Sequence, residues 1–331
     1  MNAAMPEKKR LIYIDYLKFL GLLLVILAHV DCPLILAQIR SFDVSLLVLL
    51  SGYLASKSYK KGHAGYYKKR ILRLAIPAWI FLIFFFAVQT VAYTTPTFWD
   101  IVMAVTFQRD ANMVGMLWVI WVYLVCAFLV PLIAKIGYNR RSVLAIFSLY
   151  MLFETLCCCT HIESSRLLYV TVLTVIPWGA VTYLGFYYDK ISLVDKFFLI
   201  IGSMVVFALL AVILALSSGS FVMTNEYKYP ARAYYLCFAL PIVVMLMEVF
   251  RSLKLKENRV IKFISGSSLW IYLWHILALY VVKSFITNDD LWLLQYLAII
   301  VISVVITYIQ NIIVEKLMEI YNMKFLKVFL G

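Results

Sequence analysis

Apolar runs recur along this chain at close to the thickness of a lipid bilayer, and they leave little room for anything else. A transmembrane helix needs ~20 mostly apolar residues. About ten segments approach that criterion: residues 11–30, 42–57, 71–93, 114–134, 142–160, 167–188, 197–217, 232–250, 263–283 and 291–314. The chain is 65% hydrophobic and only 14% charged, whereas soluble domains average about 45–50% apolar and about 25% charged residues. No stretch between the runs is long enough for a soluble domain. The expected architecture is therefore an all-α, polytopic transmembrane helix bundle. We read residues 1–331 as a single domain with no appended soluble domain, surrounded by membrane lipids. No internal repeat and no low-complexity segment is visible.

The net charge of +13 would point to nucleic acid in a soluble protein. Here the basic residues and the aromatic residues occupy different places, so no nucleic-acid partner is expected. The basic residues instead sort by loop. One side holds Lys8, Lys9 and Arg10, the 57–73 loop, Lys135, Arg140, Arg141, Lys190, Lys196, the 251–262 loop and the C-terminal tail. The other holds Arg40, Arg109, Arg166, Lys228, Arg232 and Lys283. The asymmetry is about fourfold, and cytoplasmic loops are the ones that collect Lys and Arg. Both termini are accordingly expected in the cytoplasm, which an even span count also requires. Residues 11–30 follow a basic start, but the run is too long for a signal peptide and no small-residue cleavage site follows it. They read as a retained first span. The tail "EKLMEIYNMKFLKVFLG" mixes apolar and basic residues and fits an interfacial amphipathic helix. The six cysteines, three of them in "CCC" at Cys157–Cys159, lack the paired spacing of a zinc site, and no metal is expected.

Ionisable residues inside spans are costly and mark functional positions. In "DYLKFLGLLLVILAH", Lys18 and His29 are eleven residues apart. That is close to three helical turns, so both face one way, about 16 Å apart along the axis. Asp15 precedes Lys18 by three residues and can pair with it on that face. Lys18 also fits a side chain snorkelling to the cytoplasmic interface, and His29 also fits a histidine at the outer interface. In "YYKKRILRLAIP", Arg70 and Arg73 share a face at the cytoplasmic end of the third span. Their planar forks suit phosphate oxygens, although a basic cluster that merely sets topology has the same look. Ser51 and Gly52 in the second span permit close helix approach or a break. Tyr272 and His275 lie three apart on the ninth span, where His275 can meet His29 or hydrogen-bond within the bundle. Glu154 lies inside the fifth span with no partner evident. The outer loop 217–231 is rich in hydroxyls and aromatics, which suits a sugar and suits solvent equally. No G-x-S-x-G, Walker loop, G-x-G-x-x-G or H-E-x-x-H is present.

Four segments in this order resemble the membrane proteins of acyltransferase family 3: "YIDYLKFLGLLLVILAH", "LSGYLASKSYKKGHAGYYKKRILRLAIPAW", "MLWVIWVYLVCAFLVPLI" and "ISGSSLWIYLWHIL". Lys18 and His29 match the family's basic-x10-His motif, and Arg70 and Arg73 its Arg-x-x-Arg motif. Lysine stands where many relatives carry arginine, so Lys18 would bind phosphate as a point charge rather than a fork. The resemblance implies an O-acyltransferase, mostly an O-acetyltransferase of bacterial surface sugars, in the cytoplasmic membrane. It implies His29 as the catalytic residue and Arg70 and Arg73 as contacts to the acyl donor. The donor would be acetyl-CoA, used as a substrate with no permanently bound cofactor. The acceptor would be a glycan or lipid-linked sugar of the capsule or exopolysaccharide kind.

Combined with the spacing, this gives an expected mechanism. The CoA phosphates sit at the cytoplasmic mouth near Arg70, Arg73 and Lys18, and the pantetheine arm rises along the Lys18–His29 stripe. His29 then takes the proton of the attacking hydroxyl, or is itself acetylated on the way. Two other classes fit the intramembrane charges. One is a transporter or flippase for a glycolipid or small anion, although no repeated half is visible. The other is a non-catalytic scaffold, which would need no Arg70, Arg73 and His29 together.

Overall fold

The computed structural model describes residues 10–59, 65–92, 94–159, 168, 171–322 and 324–330. Lys8, Lys9, Lys60, Lys61 and Arg166, counted above in the charge asymmetry, lie outside the described residues. The described chain is helical without strands, as its apolar runs require. Ten helices lie at membrane depth: α1 (Ile12–Leu27), α3 (Asp43–Ser58), α4 (Tyr66–Ala92), α6 (Trp118–Ile136), α7 (Arg140–Cys159), α8 (Val172–Phe186), α9 (Leu193–Ser218), α10 (Ala233–Ser252), α12 (Ser268–Phe285) and α13 (Trp292–Tyr321). Eight helical stretches are long and apolar enough to cross a bilayer on length and composition alone. The others are α1, with 16 residues, and α8, with 15. Three short helices complete the set: α2 (Leu34–Ile39), α5 (Phe98–Val105) and α11 (Arg259–Gly266).

The ten expected spans correspond one to one to these ten helices. The ninth differs in detail. The residues expected as one run from 263 form two elements, because the helix breaks at Ser267 between α11 and α12. The amphipathic α11 starts where the Asn258 side chain accepts from the Val260 and Ile261 N–H groups at 2.9 and 3.2 Å. The tail also departs from expectation. It does not lie out as an amphipathic helix. After Tyr321 a short 3-10 segment, Lys324–Phe329, folds back on the bundle. Trp270 Nε1 donates to Val328 O at 3.0 Å, and the Phe329 ring stacks on Trp270 at 5.6 Å. The N-terminal Arg10 donates to Lys262 O, and Ser267 donates to Leu330 O. Both ends of the described chain therefore meet one face, the face of α11 and the loop before it.

Helix α1 is central. It packs against α3, α10, α11, α12 and α13. Helices α7 and α9 are peripheral, with 11% and 6% of their spans buried in protein, and offer apolar side chains such as Leu209 and Leu216 to lipid. The tightest helix pair is α3 with α8. A Cβ on Gly52 would stand 2.5 Å from Thr182 O, and one on Gly185 would meet Leu49 O. The backbones touch there because neither helix has a side chain in the way. On the outer side, turns at residues 107–114 and a 3-10 turn at Gly115–Leu117 enter the bundle. Val114 and Leu117 are fully buried. Tyr272 and Tyr280 of α12 donate to Met116 O and Met113 O at 2.5 and 2.6 Å. Irregular backbone at membrane depth is stable only where protein groups satisfy it, and these two tyrosines do so.

Candidate active site

Inside the bundle lies a cavity of about 1230 Å³. Helices α1, α3, α4, α6 and α12 supply most of its wall. Seven cations line it, Arg10, Lys18, Lys57, Lys69, Arg70, Arg73 and Arg251, against two carboxylates, Asp15 and Asp189. The acids neutralise the mouth unevenly. Asp189 takes Lys57 at 2.5 Å and Arg251 at 3.0 Å. Partial burial pushes the Asp189 carboxyl up, but these two cations outweigh it and hold it below the usual carboxylate range. Asp15 accepts from Arg10 at 2.5 Å and from Ser265 Oγ at 2.6 Å.

The expected Asp15–Lys18 pair is thus not a direct one. Both residues meet Ser265 of α11 instead, Asp15 through its hydroxyl and Lys18 through its carbonyl oxygen. The reason is tertiary. The break after α11 presents a serine and a free carbonyl to α1, and Arg10 claims the carboxylate. Lys18 therefore holds its head in the cavity rather than at the interface. Arg70 and Arg73 also line the cavity, and neither makes an ion pair among the described residues. The Arg70 guanidinium lies over the Tyr66 ring at 5.3 Å. Four cations, Lys18, Lys69, Arg70 and Arg73, thus share one water-accessible space without a carboxylate partner among the described residues. Ser51 and Tyr272 line the same space.

The upper wall of the cavity includes Val25 of α1 and Tyr272 of α12. Four residues, about one turn, beyond Val25 lies His29, just past the end of α1. One turn beyond Tyr272 lies His275. The two imidazoles face each other with ring centroids 5.3 Å apart. His275 is fully buried. Its Nδ1 contacts Tyr272 O, and its Nε2 makes no hydrogen bond among the described residues. His29 is half-buried.

Beside this pair sits a buried charge cluster that the sequence reading missed. Asp43 accepts from Arg40 at 3.0 Å and from Lys228 at 2.7 Å, and its own carboxylate caps Val44 N. Asp43, Lys228 and Arg40 are 1%, 2% and 7% exposed. Arg40 Nε is buried without a hydrogen bond. The charges of Arg40, Lys228 and Lys283 reach His29. A signal existed for half of the cluster, since "RSFD" places Arg40 and Asp43 three apart. Lys228, from a loop 185 residues away, had none.

His29 and His275 lie beyond the cavity lining, and Glu154 lies apart from both. It accepts from Arg232 Nε at 2.9 Å and from Ala233 N at 3.1 Å, and so ties α7 to the start of α10. It does not line the cavity.

Set beside known proteins, residues 11–311 match a family model described as an acyltransferase domain. No curated protein and no solved structure matches the chain.

Proposed function

We propose, from the premise that this chain belongs to acyltransferase family 3 and is a membrane acyltransferase, that the group it moves is acetyl and the donor acetyl-CoA. The acceptor in this reading is a hydroxyl of a cell-surface or lipid-linked sugar, and the membrane is the bacterial cytoplasmic membrane. The observation that carries the donor assignment is the basic cavity. At about 1230 Å³ it exceeds the ~300–1,000 Å³ of ordinary small-molecule pockets. Its unpaired cations, Lys18, Lys69, Arg70 and Arg73, suit a polyanionic ligand. CoA combines a phosphate-rich head with a long, nearly neutral arm, and the cavity grades in the same direction, from a cationic mouth to an apolar end at Leu22 and Val25. Arginine forks and a lysine point charge bind phosphates, and the arm then brings its thioester toward His29.

In the transfer itself, the acceptor oxygen attacks the thioester carbonyl while His29 takes the hydroxyl proton. The tetrahedral intermediate collapses with loss of the C–S bond. CoA leaves as thiolate and recovers the proton from the His29 imidazolium. Negative charge develops on the carbonyl oxygen in between. Arg40, with its free Nε–H, and Lys228 are the cations suited to oppose it in a low-dielectric setting. The family assignment favours this reaction over the transporter, flippase and scaffold alternatives.

The experiment is acetyl transfer by purified protein from labelled acetyl-CoA to a panel of sugars, with succinyl-CoA as a competing donor. The natural chain should transfer label and release CoA. His29→Ala should be slower by about 10²–10⁴-fold, the usual worth of a general base. A His29→Ala protein working at the natural rate would refute the role given to His29. Transfer from succinyl-CoA in preference to acetyl-CoA would refute the donor.

A further inference from the structure

The two histidines differ in what surrounds them, and the difference assigns their roles. His275 Nδ1 contacts the Tyr272 carbonyl oxygen. A carbonyl only accepts, so Nδ1 carries the proton. The ring is fully buried, and no carboxylate pairs with it among the described residues. The charged groups whose fields reach the facing His29 are Arg40 (on the turn before α3), Lys228 (on the outer loop) and Lys283 (on α12), all cationic. Asp43 is occupied by Arg40 and Lys228, and Asp31 by Lys283. A second proton on this fully buried ring would create a buried cation with no carboxylate partner among the described residues, so the ring is neutral. Its Nε2 therefore presents a bare lone pair, buried and without a partner. An orphaned buried acceptor is uncommon and marks a functional position more often than the average polar atom. The ring nearest to it that has no hydrogen bond of its own among the described residues is His29, 5.3 Å away between centroids. No hydrogen bond joins the two rings among the described residues, and catalytic hydrogen bonds often form or tighten only when substrate binds.

We propose that His275 is the positioning partner of His29. Its Nε2 accepts the N–H of one His29 nitrogen and so leaves the lone pair of the other facing the acceptor hydroxyl. As His29 takes the proton, the same lone pair steadies the imidazolium. His275 thereby fills the orienting place that a carboxylate fills in a serine-protease triad, without bringing a buried negative charge close to a polyanionic donor. The proposal rests on the reading of His29 as the base.

The test is a set of three substitutions of His275 in the full chain, reconstituted in bilayers and assayed at saturating acetyl-CoA and acceptor. A glutamine side chain places its terminal amide near the position of Nε2, whereas asparagine reaches only the position of Nδ1. His275→Gln restores an acceptor for His29 and should keep kcat within about tenfold of the natural chain. His275→Asn keeps the group that satisfies the Tyr272 carbonyl but not the one that faces His29. It should lose about 10²-fold or more in kcat, as His275→Ala should, both figures scaled to the worth of proton-transfer groups. KM for acetyl-CoA should stay within about twofold throughout, because His275 touches no part of the donor. If His275 only holds up the Tyr272 carbonyl, the order reverses, with Asn active and Gln impaired, and the proposal is overturned. It is equally overturned if all three variants are fully active, or all three equally slow. A fully active His29→Ala protein would instead remove the base itself, a distinct failure seen in the control.

Discussion

Lys18 shows how a single residue settles the cost of charge inside a membrane. A lysine at the bilayer centre is worth about +2.5–3.5 kcal/mol on insertion scales. Here the ammonium donates to Ser265 O and lies on a solvent-accessible cavity, so it is never presented to lipid. The eleven-residue spacing to His29 was legible as a helical stripe, but α1 ends at Leu27, before His29, and only Lys18 of the two lines the cavity. What the spacing did not carry is the partner. Asp15 is the local choice, yet Arg10 and Ser265 take it. The partner of Glu154 was hidden for the same reason, since Arg232 is far away in sequence. Arg73 gives the residue-scale prediction. It has no carboxylate partner among the described residues, and in the function proposed above it binds the donor phosphate. Hydrogen bonds to charged groups are worth about 1.5–3 kcal/mol. Arg73→Ala should raise KM for acetyl-CoA about 10–100-fold by that measure, with kcat little changed. Arg73→Lys should recover part of the loss as a point charge without the fork. Steady-state kinetics over a range of acetyl-CoA concentrations decide it, and an unchanged KM would remove Arg73 from the donor site.

Among elements, the contact of α3 with α8 sets the cavity wall that carries Ser51. Its closeness depends on Gly52 and Gly185, where an added Cβ would run into backbone oxygen. Backbone cannot move aside as a flexible side chain can. Gly52→Ala should therefore destabilise the protein by about 1–3 kcal/mol, the usual cost of overpacking, and lower its melting temperature in detergent. Gly202→Ala is the control. It lies within α9, where nothing stands within 4 Å of a new Cβ, and should leave the melting temperature unchanged or slightly raised. Equal losses in both variants would mean that helix propensity, not the α3–α8 approach, controls the result. The spans themselves were legible because hydrophobic length is a direct physical requirement of the bilayer. The break between α11 and α12 was not, because "KFISGSSLW" is apolar enough to read as one run. The inserted segment 107–117 was also hidden, since the tyrosines that satisfy its carbonyls come from α12, more than 150 residues on.

For the molecule as a whole, the central feature is an internal route that begins at one face and stops short of the other. Its mouth carries Arg10, Lys57, Lys69, Arg70 and Arg251, and its far end is closed by Tyr272, Tyr123 and Val25, with residues 107–117 packed beyond Tyr272. Both described ends of the chain lie on the side of the mouth. In the function proposed above, the donor enters from the basic face, and an acceptor from the other side meets it at His29, beyond the end of α1. The overall charge bias predicted which face is which, but only the packed bundle shows that the cations converge on one cavity. The direct measurement uses the purified protein in sealed vesicles of known orientation, with acceptor present on both sides and labelled acetyl-CoA supplied on one side at a time. Acetyl transfer should proceed only when the donor is on the side of the basic loops and the two chain ends. Equal transfer with the donor confined to the opposite side would contradict the account.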